Sequence, residues 1–461
     1  MIWALGWFAV LPVEATWPAT RPIPETSWPK TDPDQFVYAV QPPLTGDVTL
    51  SSEAFAIEFG PTFTQAATLT TSVLGGGLDD STTVLGYLNS AMYRDVTAAI
   101  PDVLVPYSAV TIDPVDLVIR VDVPAFLALS DIQAENAVSF AVGAIAVERL
   151  SNQLATPEMV AGVALYVALP TQEELARVAS NVQVADKDGA LIPWYAMHGS
   201  ERIAQTELAR SEAYSIVAFL IIRFDFPSVR SWLSALGTGA TWQDALTTSF
   251  GVDANQIEAN WQQDLPTWTT TGWRDNLMAA FDLQPARDLL AGGQYVSAKA
   301  VLDSSLNLYR QLNDPAALEQ VQTLVNEADT GVQAETLMVE IQTALTAHDY
   351  QRAANLLDQA EMQYALLPPE QVPDTLLQTY RQRATDGLTA IAQLETAKRL
   401  TKSWGRYPEA RAAAKDAGAT FAQLGDADRR AEAEQVIATL DNRQRRLVIL
   451  IGTLAVTLLA W

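Results

Sequence analysis

Cysteine is absent from this 461-residue chain, and histidine occurs only twice, at His198 and His348. The first absence removes disulfides, thiol nucleophiles and thiolate metal ligands, and leaves the redox compartment open. The second means that any chemistry needing imidazole must work with two residues far apart in sequence. Basic residues are also scarce: 29 Lys and Arg stand against 54 Asp and Glu, a formal net charge of −25. Such a chain would not neutralise phosphates, which argues against a nucleic-acid partner. An acidic balance is otherwise a solubility property. No glycine-rich phosphate loop is present, since LGGGLDD at 74–80 lacks the lysine and the following helix signature, and there is no nucleophile elbow.

What is there is apolar surface, 49% of residues, ample for the cores of two or three domains. Residues 1–15, MIWALGWFAVLPVEA, form an apolar run ending in the small-x-small pattern Val13-Glu14-Ala15. They read as a signal-like or membrane segment without a basic n-region, with a buried first helix as the alternative. Residues 16–45 hold Pro18, Pro22, Pro24, Pro29, Pro33, Pro42 and Pro43 and read as an extended linker. At the other end, 442–461 read as a basic flank and a truncated transmembrane helix. Arg443, Arg445 and Arg446 precede LVILIGTLAVTLLAW, fifteen apolar residues. At about 1.5 Å per residue these span roughly 22 Å, against a hydrocarbon core of about 30 Å. The arginines would face the cytoplasm by the positive-inside rule, whereas an N-terminal signal would put the domains outside. Basic residues beyond Trp461 would reconcile the two, and the expectation is a cell-membrane protein with its bulk extracytoplasmic.

Between the ends, residues 46–275 mix strand and helix patterns. VTLSSEAFAIEF alternates like a strand, and DLVIRVDV (116–123) is a second, β-branched one. TQAATLTTSVLGGGL and TTVLGYLNSAMYRDVTAAI predict helices. AVSFAVGAIAVERL (137–150) and SEAYSIVAFLIIRF (211–224) are apolar almost all round and predict buried helices.

Residues 282–441 carry an internal repeat, aligned without gaps from Gly293, His348 and Gly405. Each copy has an aromatic residue at its third position (Tyr295, Tyr350, Tyr407) and an alanine three residues on (Ala298, Ala353, Ala410). A second aromatic follows (Tyr309, Tyr364, Phe421), then a leucine (Leu312, Leu367, Leu424). Small residues at fixed helical offsets let helices approach, and the aromatics fill the space between them. The pattern resembles the tetratricopeptide repeat (TPR). The starts fall 55 and 57 residues apart (348 − 293 and 405 − 348) instead of about 34, which predicts extra helices between the units.

In the first segment DLVIRVDV, AVSFAVGAIAVERL, PEMVAGVALY, SEAYSIVAFLIIRF and LGTGATWQDALTTSFGVDANQIEANWQQDL follow in order. This order resembles the peptidase MA-like domain of gluzincin metallopeptidases, most specifically at Gly237, Gly239, Ala245, Phe250, Gly251 and Trp261. The resemblance implies a His-Glu-x-x-His helix, in which the glutamate deprotonates a zinc-bound water, and a third ligand, a glutamate before a glycine. AVSFAVGA contains neither histidine nor carboxylate. Ala161 stands before Gly162, Met159 occupies the tryptophan position, and the segment is one residue short. Apolar residues suit a ligand helix without metal, because unpaired buried polar groups are costly.

No catalytic, cofactor-binding or metal residue is therefore assigned. Glu135, Glu148 and Glu158 read as solvated helix-end charges, the alternative being a carboxylate pair acting as acid and base or on calcium. His198 reads as a loop histidine packed beside Trp194 and Tyr195, the alternative being a ligand contact. The expected fold is an α+β gluzincin-like metallopeptidase fold followed by an all-α TPR-like helical domain and a C-terminal transmembrane helix. The expected function is that of a catalytically inactive metallopeptidase homologue, a membrane-tethered extracytoplasmic protein-binding or scaffold protein. Its partners would be a protein or peptide, and the membrane through the C-terminal helix, with the N-terminus as a second attachment. An active hydrolase with relocated catalytic residues and a structural subunit of a membrane complex are the alternatives.

Overall fold

A computed structural model describes residues 25–32, 35–43, 50–78, 81–199 and 203–459. The signal-like segment 1–15 lies outside the described residues. The chain divides into two compact units, Met1–Ala279 and Ala280–Trp461.

In the first unit the strands are β1 (Lys30–Thr31), β2 (Phe36–Val40), β3 (Thr82–Tyr87), β4 (Val110–Asp113) and β5 (Val118–Asp122). They form one sheet in the order β1-β2-β3-β5-β4. The central β2, β3 and β5 run parallel, with Tyr38 opposite Val84 and Val84 opposite Ile119, and the short edge strands β1 and β4 are antiparallel. FVYAV and TTVLGY are β-branched and aromatic and mostly buried, as parallel strands covered on both faces require.

Strand β2 falls inside the proline-rich stretch read as a linker, so the described residues from Glu25 onward belong to the domain. The Tyr87 hydroxyl donates to Glu25, and Arg120 of β5, 5% exposed, reaches Glu25 at 3.4 Å and also pairs with Asp113. The described part of VTLSSEAFAIEF, from Leu50 on, is not a strand either. Ser51 caps a helix, accepting from the Ala54 N–H at 3.1 Å, and α1 (Ser52–Leu74) buries Phe55, Phe63, Ala66, Ala67, Val73 and Leu74 at helical spacing. TTVLGYLNSAMYRDVTAAI, expected as a helix, divides into β3 and α2 (Ser90–Thr97), where Asn89 caps the new helix by accepting from the Ala91 and Met92 N–H groups.

The remaining helices of this unit are α3 (Val123–Phe126), α4 (Asp131–Leu150), α5 (Pro157–Ala168), α6 (Gln172–Asp188), α7 (Trp194–Met197), α8 (Thr206–Arg223), α9 (Phe226–Gly237), α10 (Trp242–Phe250) and α11 (Ala254–Thr270). A Ser130–Gln133 capping box starts α4, Pro157 occupies the first turn of α5, and both helices bury almost their whole circumference.

The second unit is helical among its described residues: α12 (Gln284–Ala291), α13 (Tyr295–Leu312), α14 (Pro315–Thr346), α15 (Tyr350–Tyr364), α16 (Asp374–Leu400), α17 (Tyr407–Leu424) and α18 (Ala427–Leu459). Each repeat copy is a shorter helix followed by a long one, of 32, 27 and 33 residues in turn. The length of the second helices accounts for the 55- and 57-residue spacing, and no extra α-helices separate the units, only short 3-10 turns such as Trp404–Arg406. Ala298, Ala353 and Ala410 are fully buried. Tyr295 lies on Gly331 and Tyr350 on Gly387, so close that a Cβ at either glycine would enter the ring.

The expected fold class is therefore corrected. The described chain is eighteen α-helices with one small mixed sheet, and nothing in it supports a gluzincin fold. The expected C-terminal transmembrane helix and membrane-anchored location are overturned as well: no described helix is long and apolar enough to cross a membrane. Helix α18 is long but carries Arg443, Arg445 and Arg446 within it.

Candidate functional site

The resemblance calls for metal ligands on α4 and in front of Gly162 on α5. Val138, Phe140, Ala141 and Val142 of α4 are fully buried, as are Met159 and Ala161 of α5. The helices pack closely, most tightly at Gly162. A Cβ on Gly143 would touch the Ala164 Cα at 3.4 Å, and one on Gly162 would lie 2.7 Å from the Ala213 carbonyl oxygen on α8. Gly162 thus serves a helix crossing, and Ala161 before it is fully buried. Among the described residues no group of three or more His, Cys, Asp or Glu is placed to hold a metal ion.

Of the three glutamates singled out, Glu135 is exposed. Glu148 and Glu158 are not solvated charges but buried, because both lie on helices packed all round. Burial pushes the Glu148 carboxyl up to about 7 and raises that of Glu158 as well. A third acid, Glu212 on α8, is 0% exposed and was missed. Its two oxygens accept the Ile192 N–H at 3.2 and 3.0 Å, and burial pushes its carboxyl up to about 8. The signal was a lone acid in the otherwise apolar run SEAYSIVAFLIIRF.

His198 caps α7 and stacks on Trp242 at 4.5 Å between ring centres, with Trp194 and Trp232 each 6.2 Å away. Trp194 was the expected neighbour, whereas Tyr195 points to solvent, 70% exposed. Nδ1 lies 2.9 Å from the Trp194 carbonyl, which only accepts, so Nδ1 carries the proton and the partnerless Nε2 is bare. Burial holds the imidazole down at about 4, neutral at ordinary pH. His348 lies elsewhere, in the second unit, in a left-handed turn (φ 56°) before α15.

Concavities occur in both units. In the second unit a groove of about 360 Å³ between α15 and α16 is lined by Tyr364, Ala365, Val372 and Leu377, with Glu361, Asp374 and Arg381 also on its walls. The nearby Leu366 and Leu376 are 72% and 42% exposed. Arg381 is already engaged, at 2.6 Å from Asp358 and 2.7 Å from Glu361.

In the first unit a cavity of about 260 Å³ opens between the 105–107 loop, α6 and the start of α8. Val105, Pro106, Leu165, Pro170 and Val178 form its apolar wall, and Tyr107, Glu174, Arg177, Glu207, Arg210 and Ser211 its polar one. Glu207 lies 3.6 Å from Arg177 and 3.2 Å from Arg210. No protein-family model, curated protein or solved structure matches the chain.

Proposed function

We propose that the chain is a binding protein that holds a polypeptide on its helical hairpins. The observation that carries this reading is the α15–α16 groove, an apolar floor on a stack of helix pairs, with exposed leucines next in sequence to its lining residues Ala365 and Leu377. Helices presenting such a groove take apolar side chains as anchors. Asp374 on the wall, and the net charge of −25, favour a segment whose anchors are flanked by Lys or Arg. The reading requires neither a metal nor a membrane.

The test is selection from a displayed library of defined random peptides against the purified chain, followed by titration of the selected peptides into Leu366→Asp/Leu376→Asp. Enriched sequences should combine apolar anchors with basic flanks, and the double variant should bind them at least tenfold more weakly while keeping its helical circular dichroism. Selected peptides that bind the variant as well as the parent would overturn the proposal, as would a selection that enriches none.

A further inference from the structure

The cavity in the first unit is independent of the hairpin groove and has a different chemistry. Its apolar wall is aliphatic and proline-rich, and its polar wall sets two guanidiniums against the one carboxylate of Glu207. The other lining acid, Glu174, is occupied. Its Oε2 accepts from the Thr171 N–H at 2.8 Å and the Thr171 hydroxyl at 3.0 Å, closing the capping box of α6. The Arg210 side chain is only 14% exposed. Burial outweighs Glu207 and Asp102 and, with Arg177 beside it, holds the guanidinium below its ordinary range. Burial has stripped this guanidinium of water, and a carboxylate entering the cavity would supply acceptors in its place. Tyr107 contributes the third element. Its ring packs 6.0 Å from Phe140, and its buried hydroxyl has no hydrogen-bond partner. The charges acting on that hydroxyl are Glu174, Arg210 and Arg177, all from the cavity lining.

We infer that this cavity is a binding site for a single carboxylate carried on a short branched apolar group, the acid meeting Arg177, Arg210 and the Tyr107 hydroxyl and the apolar group meeting Leu165 and Val178. The volume sets the size, since sites for drug-sized ligands occupy about 300–1,000 Å³ and this one is smaller. The charge sets the valence. Two arginines and two glutamates in the lining balance, and Asp102 is near, so a dianionic phosphate gains less than a monoanion. The same chemistry is offered by a free branched-chain acid and by the C-terminal residue of a peptide.

Titration calorimetry on the full chain separates the sources, using isovalerate, isovaleramide, and an N-acetylated dipeptide ending in leucine as free acid and as amide. At least one acid should bind and neither amide should. Binding by isovalerate identifies a free acid as the source, and binding by the peptide acid alone identifies a chain terminus. Arg177→Gln, at a side chain 66% exposed, and Tyr107→Phe, which keeps the ring against Phe140, should each weaken binding about tenfold with an unchanged melting curve. Equal binding of acid and amide, insensitivity to both substitutions, or no binding of either acid at millimolar concentration would each overturn the inference.

Discussion

Gly162 and Ala213 mark the point where α5 and α8 touch backbone to backbone: a Cβ on Gly162 would sit 2.7 Å from the Ala213 carbonyl oxygen and 2.8 Å from its carbon. Neither atom is the end of a flexible side chain, so the added methyl can be accommodated only by moving a helix. Gly162→Ala should therefore destabilise the first unit by about 1–3 kcal/mol despite the better helix propensity of alanine. Urea unfolding followed by tryptophan emission measures this, because Trp194, Trp232, Trp261 and Trp268 are buried in that unit. An unchanged midpoint would mean that the crossing is looser than described.

The second unit repeats the device with an aromatic ring in place of a backbone. Tyr295 nests on Gly331, and Tyr350 on Gly387 one repeat later. Gly331→Ala should cost about 1–3 kcal/mol by overpacking. Adding Tyr295→Leu should recover part of that loss, with a coupling on the order of 1 kcal/mol in a double-mutant cycle. Additive losses would show that ring and glycine do not share one contact.

These pairs also mark what could be read from the sequence. The tyrosines and alanines of the repeat are legible because they recur at fixed local offsets. Gly331 and Gly387 are not, because each meets its tyrosine from another helix, with no local signal. Likewise α4, α5 and α8 are legible as apolar runs, yet their seam reads equally well as an emptied metal site, since alanine and glycine suit both. Helix α1 was misread because period-2 alternation in VTLSSEAFAIEF outweighed the cap at Ser51. His198 was placed beside Trp194, but Trp232 and Trp242 arrive from later helices.

Buried ionisable groups give the first unit opposing pH dependences. His198 has its value lowered from 6.5 in the open chain to about 4, so its contribution is complete above 6.5 and lost as pH falls toward 4, about 3 kcal/mol in all. Glu148 and Glu212 are raised from 4.5 to about 7 and about 8, so their contributions are complete below 4.5 and lost as pH rises through those values. Two acids oppose one base, and the unit should be more stable near pH 5 than at pH 8. Urea midpoints across this range should lose most of their alkaline decline in Glu212→Gln and steepen in His198→Gln. A parent protein more stable at pH 8 than at pH 5 would contradict this balance.

Asp426 ties the third hairpin to the start of the second. It is 2% exposed, accepts from the Tyr350 hydroxyl at 3.3 Å and from Arg429 Nη1 at 2.7 Å, and takes the Arg429 backbone N–H at 3.1 Å in the first turn of α18. Arg429 also donates to the His348 carbonyl at 2.9 Å and lies over the Tyr350 ring. Asp426→Ala removes the cap and the contact with Arg429 and leaves the tyrosine hydroxyl with His348 Nδ1, 3.3 Å away, as its remaining partner, at a cost of about 1–3 kcal/mol. Asp426→Asn keeps a capping oxygen and a neutral acceptor and should lose about half as much, the difference reporting the charged contact with Arg429. The Arg429 contacts hold the Asp426 carboxyl below its ordinary value of 3.8 against the opposing effect of burial. Its stabilisation is therefore complete above 3.8 and disappears as pH falls below that, and the gap between the parent and Asp426→Asn should close in acid. Thermal unfolding of the three proteins at pH 7 and pH 3 measures both effects, and a gap that persists unchanged at pH 3 would show that the carboxylate charge is not what holds the two hairpins together.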